Sequence, residues 1–182
     1  IKAAEKKLLE TQDSKAYLGP EGDMGFVHAL MPWVFGKENP TMDGRIDGMQ
    51  TPGGTGGVRL AVALAKRAGV NRVLMGLPSW PNHAQIFADL GVELKGFNHA
   101  GKDGKVDMDA LRAAIAEAQP GDAVLLHGCC HNPTGIDYGN ADWDEIAGLL
   151  AEKGVLPILD LAYQGLGQGM EEDAYGVRRV LA

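Results

Sequence analysis

Two apolar runs of the sequence end in polar residues whose chemistry suits a small-molecule site. Residues 123–126 are followed by His127 and a turn-rich segment that continues to Gly135. Residues 155–159 are followed by Asp160. Because short apolar runs bounded by turn formers are typical of buried strands, we expect a strand end at each place. Ligands bind at the carboxyl ends of strands in open α/β sheets, so the pattern predicts two walls of one site.

Three side chains at these strand ends can bind a polar, flat ligand. In a cleft, the Asp160 carboxylate can hold a ring nitrogen protonated, and the Tyr163 hydroxyl can hydrogen-bond a neighbouring ring substituent. Asn132 has a backbone restricted by the following proline, and its amide offers both donors and an acceptor. An acid at a strand end can equally serve as a helix cap, and that alternative stays open for Asp160.

A glycine-rich segment at residues 51–57 precedes a predicted helix over about 57–68. Its glycines, Gly54 among them, let backbone amides approach an anion at the helix N-terminus, and Thr55 adds a hydroxyl donor. The segment lacks the Gly-Lys-Ser/Thr of a P-loop and the dinucleotide-binding pattern. A phosphate site and a plain tight turn are therefore both open.

An indole and three histidines lie close to these segments. Trp80 follows a predicted strand, where it can stack on a flat ligand or pack in the core. His83 falls in the first turn of a predicted helix, a position where a histidine is usually structural. His127 and His131 flank the only two cysteines, which are adjacent. Metal-binding cysteines are usually two to four residues apart, so we expect no metal site and interpret the cysteines as small buried hydrophobic residues.

The elements that must position these residues alternate along the chain. We predict strands over 72–77, 92–97, 123–127 and 155–160, separated by helices that begin near residues 57, 81, 107 and 141. This alternation predicts an α/β fold: a mainly parallel sheet with helices on both faces. We also expect a helix over 2–12, a second that Pro32 kinks or ends, a loop with a short strand within 37–50, and a buried helix over 57–68.

Composition narrows the class of protein. The 182 residues suffice for one domain with a sizeable core. A formal net charge of −7 disfavours nucleic acid as a partner, and no apolar run approaches the ~20 residues of a membrane helix. Two adjacent cysteines imply no disulfide framework. We therefore expect a cytoplasmic protein without nucleic-acid or membrane partners.

Four segments together resemble the class I aminotransferases that use pyridoxal phosphate (PLP), and most closely the aspartate and aromatic amino-acid aminotransferases. They match in order and spacing: residues 51–56, 78–83, 127–137 and 160–165. The resemblance covers essentially the whole chain. It implies transamination between an L-amino acid, aromatic or acidic, and a 2-oxo acid. It also implies that residues 1–36 form an N-terminal helical segment and residues 37–182 the central part of an incomplete PLP-binding large domain.

The resemblance assigns the outer parts of a cofactor site. Gly54 and Thr55 would bind the phosphate of PLP, and Trp80 would stack on its pyridine ring. Tyr17 would reach the phosphate of the cofactor in a neighbouring subunit. The resemblance therefore implies a homodimer with shared sites.

The same resemblance assigns the polar contacts of the ring. Asp160 would pair with the protonated ring nitrogen, and His83 would support that carboxylate from behind. Asn132 and Tyr163 would hydrogen-bond the phenolic oxygen. Two further histidines would lie behind these groups: His127 and His131.

The chain departs from the family pattern in one important respect. The Schiff-base lysine of the family stands in a Ser-x-Ser-Lys context, and no lysine here has that context; the last one, Lys153, precedes the strand at 155–160. The arginines that bind substrate carboxylates lie further on still. We therefore expect no catalytic residue within this chain and predict that the chain alone is inactive.

Two alternatives to an aminotransferase are a non-catalytic fragment and a nucleotide-binding oxidoreductase. The oxidoreductase needs a Gly-x-Gly-x-x-Gly turn and an acid about twenty residues further on. The sequence contains no such pair. Residues 169–175 resemble the aromatic-preferring branch of the aminotransferases more than the aspartate branch.

Overall fold

A computed structural model of the chain describes residues 1–37 and 44–182. Its elements, in chain order, are α1 (Lys2–Thr11), α2 (Met24–Phe35), α3 (Gly53–Arg67), β1 (Arg72–Leu77), α4 (Pro81–Asp89), β2 (Glu93–Asn98), α5 (Met108–Ala116), β3 (Asp122–His127), α6 (Asn140–Lys153), β4 (Leu156–Asp160) and α7 (Tyr175–Leu181). Across the two described ranges, none of these helices combines the length and the apolar character needed to cross a membrane.

The four strands form one parallel sheet in the order β2-β1-β3-β4. Strand β1 pairs with β2 on one side and with β3 on the other. Strand β4 pairs with β3, and this register places His127 directly opposite Asp160. The predicted α/β fold with a parallel sheet is confirmed, and the two polar strand ends of the sequence are neighbours at one edge.

Alternating strand residues build a core on each face of the sheet. Val73 and Met75 of β1 join Leu125 of β3 in a cluster with buried residues of α3 and α4. Leu74 and Val124 join the opposite cluster with residues of α5 and α6. Successive side chains of a strand point to opposite faces of the sheet, and both faces are buried here. The sequence of β3 is therefore a continuous apolar run.

Helix α3 differs from its prediction at its start and in its burial. It begins at Gly53 instead of residue 57, so the glycine segment forms its first turn. Glycine disfavours helix, but packing of the same helix against the core overrides that preference. Val58 and Val62 face the core, whereas Leu60 is 46% and Leu64 70% exposed. The prediction of a buried helix was therefore wrong for its outer face.

Helix α2 continues through Pro32 to Phe35, so this residue does not end the helix, which was one of the two predicted outcomes. Its last turn has side-chain partners from elsewhere in the chain. The Trp33 carbonyl accepts from Gln164 Nε2 at 2.7 Å and from Arg178 Nη2 at 3.0 Å, and the Val34 carbonyl accepts from Arg178 Nε at 3.1 Å. These donors satisfy carbonyls that a helix end leaves free and so support the turn after the proline.

The remaining boundaries lie within two residues of the prediction, apart from the segment before α3. Residues 44–50 contain no strand, and the rest of the possible short strand, residues 38–43, lies outside the described residues. Helix α1 forms as predicted, but it buries no side chain. Leu8 is 57% and Leu9 84% exposed.

We expect Gly176→Ala to destabilise the fold and Gly148→Ala, its control, to leave stability equal or higher. A Cβ on Gly176 of α7 would lie 2.2 Å from the Trp143 ring, whereas one on Gly148 of α6 would meet no atom within 4 Å. Gly176→Ala should lower the unfolding free energy by about 1–3 kcal/mol because the added methyl group overpacks the contact with Trp143. Gly148→Ala, at an exposed helical position, should raise the unfolding free energy by up to ~1 kcal/mol. Urea unfolding of both variants measures this, and equal stabilities would contradict the close packing of α7 on α6.

Candidate cofactor site

The site lies where the strand order reverses. The chain passes from β1 to β2 on one side of β1 and then returns to β3 on its other side. The loops after β1 and β3 therefore diverge and open a crevice at the carboxyl edge of the sheet, the position at which ligands bind in such folds. Trp80 follows β1, and Asp160 ends the strand next to β3.

A cavity of about 230 Å³ occupies this crevice. Its volume is slightly below the ~300 Å³ lower end of typical small-molecule sites. The residues that line it come from α3 and from the loops after β1, β3 and β4: Gly54, Thr55, Trp80, His127, Cys129, Cys130, Asn132, Asp160, Ala162 and Tyr163.

Six of the seven predicted cofactor-binding residues thus lie together around one cavity. The seventh, Tyr17, is fully exposed and does not line it. His127 also lines the cavity, whereas His83 and His131 lie buried behind it. The structure tests where these residues lie, and their roles toward a cofactor stay predictions.

The part of the cavity that α3 lines suits an anion. Helix α3 begins after Pro52, which makes no capping hydrogen bond through its side chain, and the first turn of the helix carries no acidic residue. A Cβ built on Gly54 meets nothing within 4 Å, so there is space beside the first-turn amides. Thr55 presents an exposed hydroxyl that accepts from Asn82 Nδ2 at 3.4 Å. The backbone amides of a helix N-terminus and the helix dipole together favour a negatively charged group here.

The same cavity is also lined by a carboxylate that is bound to a buried histidine. Asp160 Oδ2 and His83 Nε2 are 2.9 Å apart, and the side-chain exposures of the two residues are 20% and 0%. Trp80 is half-buried and meets the His83 ring edge-on, with ring centroids 5.2 Å apart. A flat indole and a carboxylate held by His83 thus line the same cavity.

A chain of hydrogen bonds fixes the proton positions of two histidines behind the carboxylate. The backbone N–H of Asn132 donates to His127 Nδ1 at 3.0 Å, so a neutral His127 carries its proton on Nε2. The Nε2–H group of His127 donates to Ser79 Oγ at 3.3 Å. The Ser79 hydroxyl then donates to His83 Nδ1 at 2.9 Å, which leaves the Nε2 proton of His83 for Asp160. The loop that carries Asn132 therefore sets the tautomer that faces the carboxylate.

Burial keeps His127 uncharged in this chain. Desolvation, and next the neighbouring His83, lower the pKa of His127 to about 4. At neutral pH the imidazole therefore has one proton and one lone pair, as the hydrogen-bond chain requires.

A second layer of buried aromatic rings continues behind His127. His131 stacks on His127 and on His99, with ring centroids 4.2 Å and 3.6 Å away. Burial, and next the neighbouring His127, lower the pKa of His131 to about 3, and burial also lowers the pKa of His99. His99 Nε2 donates to the Ile136 carbonyl at 2.7 Å, and Tyr138 OH lies 3.5 Å from His99 Nδ1. These contacts connect the loop after β3 to the carboxyl end of β2.

The loop after β3 is also held by a carboxylate. Asp137 accepts the backbone N–H groups of Cys130 and His131, each at 2.7 Å. Cys130 has φ +48°, the left-handed region that side chains other than glycine rarely adopt. Two charge-assisted hydrogen bonds therefore hold a tight turn immediately before Asn132.

Four residues of this arrangement were not predicted from the sequence: Ser79, His99, Asp137 and Tyr138. A signal existed for His99, because it follows β2 directly and so lies at the same sheet edge. The bridge through Ser79 had no such signal, since it depends on the distance between two loops. Cys130 was interpreted as buried, but it is half-buried and lines the cavity.

The buried histidines predict an acid-sensitive fold. Because the folded-state pKa values of His127 and His131 lie below the ordinary value of 6.5, the unfolded state binds their protons first as pH falls. The unfolding free energy should therefore fall by at least ~2 kcal/mol between pH 7 and pH 4.5. Urea unfolding across this range measures the slope. His131→Gln should flatten it and Tyr138→Phe, the control, should not; a slope that His131→Gln leaves unchanged would contradict the account.

Comparisons with known proteins give the family. A family model for aminotransferases of class I and II matches residues 1–182. The chain is 50% identical to a tyrosine aminotransferase of Rhizobium meliloti, over all of this chain and 46% of that protein. It is 45% identical to the aspartate aminotransferase of Escherichia coli, over all of this chain and 47% of that protein.

Solved structures agree. An aromatic-amino-acid aminotransferase from Burkholderia pseudomallei, covalently bound to pyridoxal phosphate, matches with a TM-score of 0.95 and 32% identity, over 99% of this chain and 46% of that one. An aromatic amino acid aminotransferase with 3-indolebutyric acid matches with a TM-score of 0.92 and 40% identity, over 98% of this chain and 45% of that one.

The chain belongs to the class I and II aminotransferase family. It has the fold of the PLP-dependent aminotransferases, and the resemblance inferred from the four sequence segments is confirmed. The chain spans about half the length of the curated relatives that it matches.

Proposed function

We propose that the protein containing this chain transfers an amino group from an L-amino acid to a 2-oxo acid, with PLP bound in the cavity between α3 and Asp160. The observation that carries the proposal is the pairing of the Asp160 carboxylate with the buried His83 at 2.9 Å, in a cavity that the first turn of α3 also lines. An anionic phosphate and a cationic ring nitrogen are the two polar ends of PLP. The residues present therefore fit this cofactor.

Asp160 is assigned to the ring nitrogen of PLP. When bound, PLP withdraws electrons from the carbon that loses its proton. The carboxylate of Asp160 holds the ring nitrogen protonated and so maintains that electron withdrawal. His83 donates to the same carboxylate and keeps it oriented toward the cavity. Trp80 covers one face of the ring.

Asn132 and Tyr163 are assigned to the phenolic oxygen, and Gly54 and Thr55 to the phosphate. Asn132 and Tyr163 line the cavity from the loops after β3 and β4, and both side chains offer a hydrogen-bond donor. Two donors on one oxygen stabilise its anionic form and so orient the ring. The phosphate is assigned to the first-turn amides of α3 and to the Thr55 hydroxyl.

We propose both aromatic and acidic amino acids as substrates. Two of the matching proteins are named for tyrosine and aspartate, and a third as an aromatic-amino-acid aminotransferase. One solved neighbour is described as cocrystallised with aspartic acid, and another with 3-indolepropionic acid. Both ligand types are known for structures of the same fold, and that supports dual specificity here.

We also propose a homodimer in which Tyr17 contacts the phosphate in the partner's site. The support is the exposure of the N-terminal region, the segment proposed to precede the cofactor domain at residues 37–182. Tyr17 is fully exposed, and Trp33, on the helix that follows it, is 47% exposed. Apolar side chains left exposed in this way favour association with another surface.

A cytoplasmic location completes the proposal. Its support is a neighbour with a TM-score of 0.92 and 29% identity, described as an aspartate aminotransferase from the cytoplasm of Saccharomyces cerevisiae. Other matches are described as mitochondrial or chloroplastic, so fractionation of the source cells is the direct test.

The test of the proposed function uses the full-length protein. We expect it to take up PLP with a new visible absorption band and to convert glutamate and an aromatic 2-oxo acid into 2-oxoglutarate and the aromatic amino acid. A protein that binds PLP without turnover would support a non-catalytic role. Uptake of a nicotinamide nucleotide in place of PLP would support the oxidoreductase alternative.

We expect Trp80→Ala to weaken PLP retention by roughly 10–100-fold, and Trp80→Phe, which keeps a flat face, to have a mild effect. The loss corresponds to about 1–3 kcal/mol for one aromatic stacking contact. Equilibrium dialysis of PLP against both variants measures this effect. The melting temperature of the cofactor-free protein serves as the control. A collapse of that temperature in Trp80→Ala would show that the indole is a core residue, since emptying a core tryptophan costs about 3–5 kcal/mol.

A further inference from the structure

The two cysteines stand side by side in the wall of the cavity, and the proposed reaction uses neither. Both line the cavity together with Asp160 and Tyr163. Their Sγ atoms lie within 4.8 Å of each other. Cys129 is 5% exposed and Cys130 is half-buried, and both are free thiols. The pair is therefore a dithiol in the wall of the cavity.

The backbone holds this dithiol in one arrangement. Cys130 lies in the left-handed region with φ +48°, and the Asp137 carboxylate accepts the N–H groups of Cys130 and His131, each at 2.7 Å. The turn is thus fixed by two charge-assisted hydrogen bonds. Since little freedom of the turn is lost on binding, a ligand that bridges both sulfurs meets a preorganised site.

The surroundings of the pair select the class of ligand. The Asp173 carboxylate lies within the same 4.8 Å group, but its oxygens accept the N–H groups of Gly165, Gly167 and Gln168 at 2.8, 2.9 and 2.8 Å. This carboxylate is therefore engaged by the backbone, and the group offers two sulfur ligands without a third. Zinc takes four ligands in structural sites and three protein ligands in catalytic ones, so two sulfur ligands are too few to bind it well. A trivalent arsenical with one organic substituent needs only two.

We propose that Cys129 and Cys130 form a two-thiol site for monosubstituted trivalent arsenicals, and that an arsenical bound there excludes PLP from the cavity. In the reaction with an organoarsenic oxide, two As–S bonds form, and the two S–H bonds and the As=O bond break. The oxygen leaves as water with the two thiol protons. Arsenic stays trivalent, so the step needs neither an oxidant nor a reductant.

The exclusion of PLP follows from the position of the sulfurs and rests on the proposed function. An arsenic atom that bridges both sulfurs lies at the wall of a cavity of about 230 Å³, and its organic group takes up part of that volume. A cofactor placed between Trp80 and Asp160 would need the same space. By linkage, each ligand then weakens the other by the same factor.

The first experiment uses phenylarsine oxide with the reduced, cofactor-free, full-length protein. We expect one phenylarsine adduct in the intact mass, mapped to the peptide with both cysteines, stable to 2-mercaptoethanol and removed by a dithiol. Cys130→Ser leaves one sulfur and should weaken retention by on the order of 100-fold, since the chelate is lost. Cys130→Ala should behave in the same way. An adduct that survives 2-mercaptoethanol in both variants, or the absence of one in the wild type, would overturn the proposal.

The second experiment adds PLP before the arsenical. We expect the adduct to form at least tenfold more slowly in the PLP-loaded protein, and PLP to bind correspondingly more weakly to the arsenical-treated protein. Equal labelling with and without bound PLP would overturn the shared cavity. A protein that forms the dithiol-reversible adduct but takes up no PLP under any condition would contradict the proposed function and still support the two-thiol site.

Discussion

Asp160→Asn in the full-length enzyme should reduce turnover by on the order of 10²–10⁴-fold, while PLP binding changes by less than tenfold. The amide keeps the shape of the side chain and can still accept a hydrogen bond from His83, but it carries no charge. A neutral partner cannot hold the ring nitrogen protonated, so the transition state loses electrostatic stabilisation of roughly 3–5 kcal/mol. Single-turnover rates with an amino acid, beside PLP titrations, measure the two quantities.

The matched control for this change is Asp160→Glu, which keeps the charge and displaces the carboxylate. It should retain more activity than Asp160→Asn if charge carries the effect. Half-reaction rates within a few-fold of wild type for Asp160→Asn would show that the carboxylate at the end of β4 is a structural residue.

His83→Phe should have the next largest effect, a loss of roughly 10–100-fold in turnover. The ring is fully buried, so phenylalanine preserves its packing, but the hydrogen bond from Nε2 to Asp160 at 2.9 Å is lost. A hydrogen bond to a charged group contributes about 1.5–3 kcal/mol, and without it the carboxylate is less firmly oriented toward the cavity. Single-turnover rates with an amino acid measure the loss, and a rate equal to that of the wild type would contradict the role of His83 in holding Asp160.

Ser79→Ala separates the role of the hydrogen-bond chain from packing. This change removes the hydroxyl between His127 and His83 and leaves the His83–Asp160 contact in place. We expect a smaller loss of turnover than in His83→Phe. Loss of stability without any loss of turnover in either variant would assign these residues to folding alone.

The sequence was informative wherever a function depends on the end of a single strand. The strand ends at His127 and Asp160 were predicted to form two walls of one site because parallel strands end at one edge, and the pairing of His127 with Asp160 across β3 and β4 confirms that they are neighbours. The cavity that holds both, together with Trp80, confirms the predicted meeting of the loops. The assignment of these residues to parts of PLP stays a prediction.

The sequence was less informative where two distant segments determine the outcome. Ser79 and His99 act through hydrogen bonds and ring contacts across loops of different strands, and no local pattern encodes those distances. Helix α2 continues past Pro32 because side chains more than 130 positions away support its last turn. Gly53 and Gly54 favour a turn because glycine disfavours helix, but the packing of α3 against the core overrides this preference and both residues lie in its first turn.

The most direct test of the central claim is the protonation state of the cofactor's ring nitrogen in the full-length enzyme. PLP labelled with ¹⁵N at that position reports it through its chemical shift. The account predicts a protonated ring nitrogen at neutral pH in the wild type and an unprotonated one in Asp160→Asn. An unprotonated nitrogen in the wild type, or a signal that Asp160→Asn leaves unchanged, would contradict the placement of the ring against Asp160.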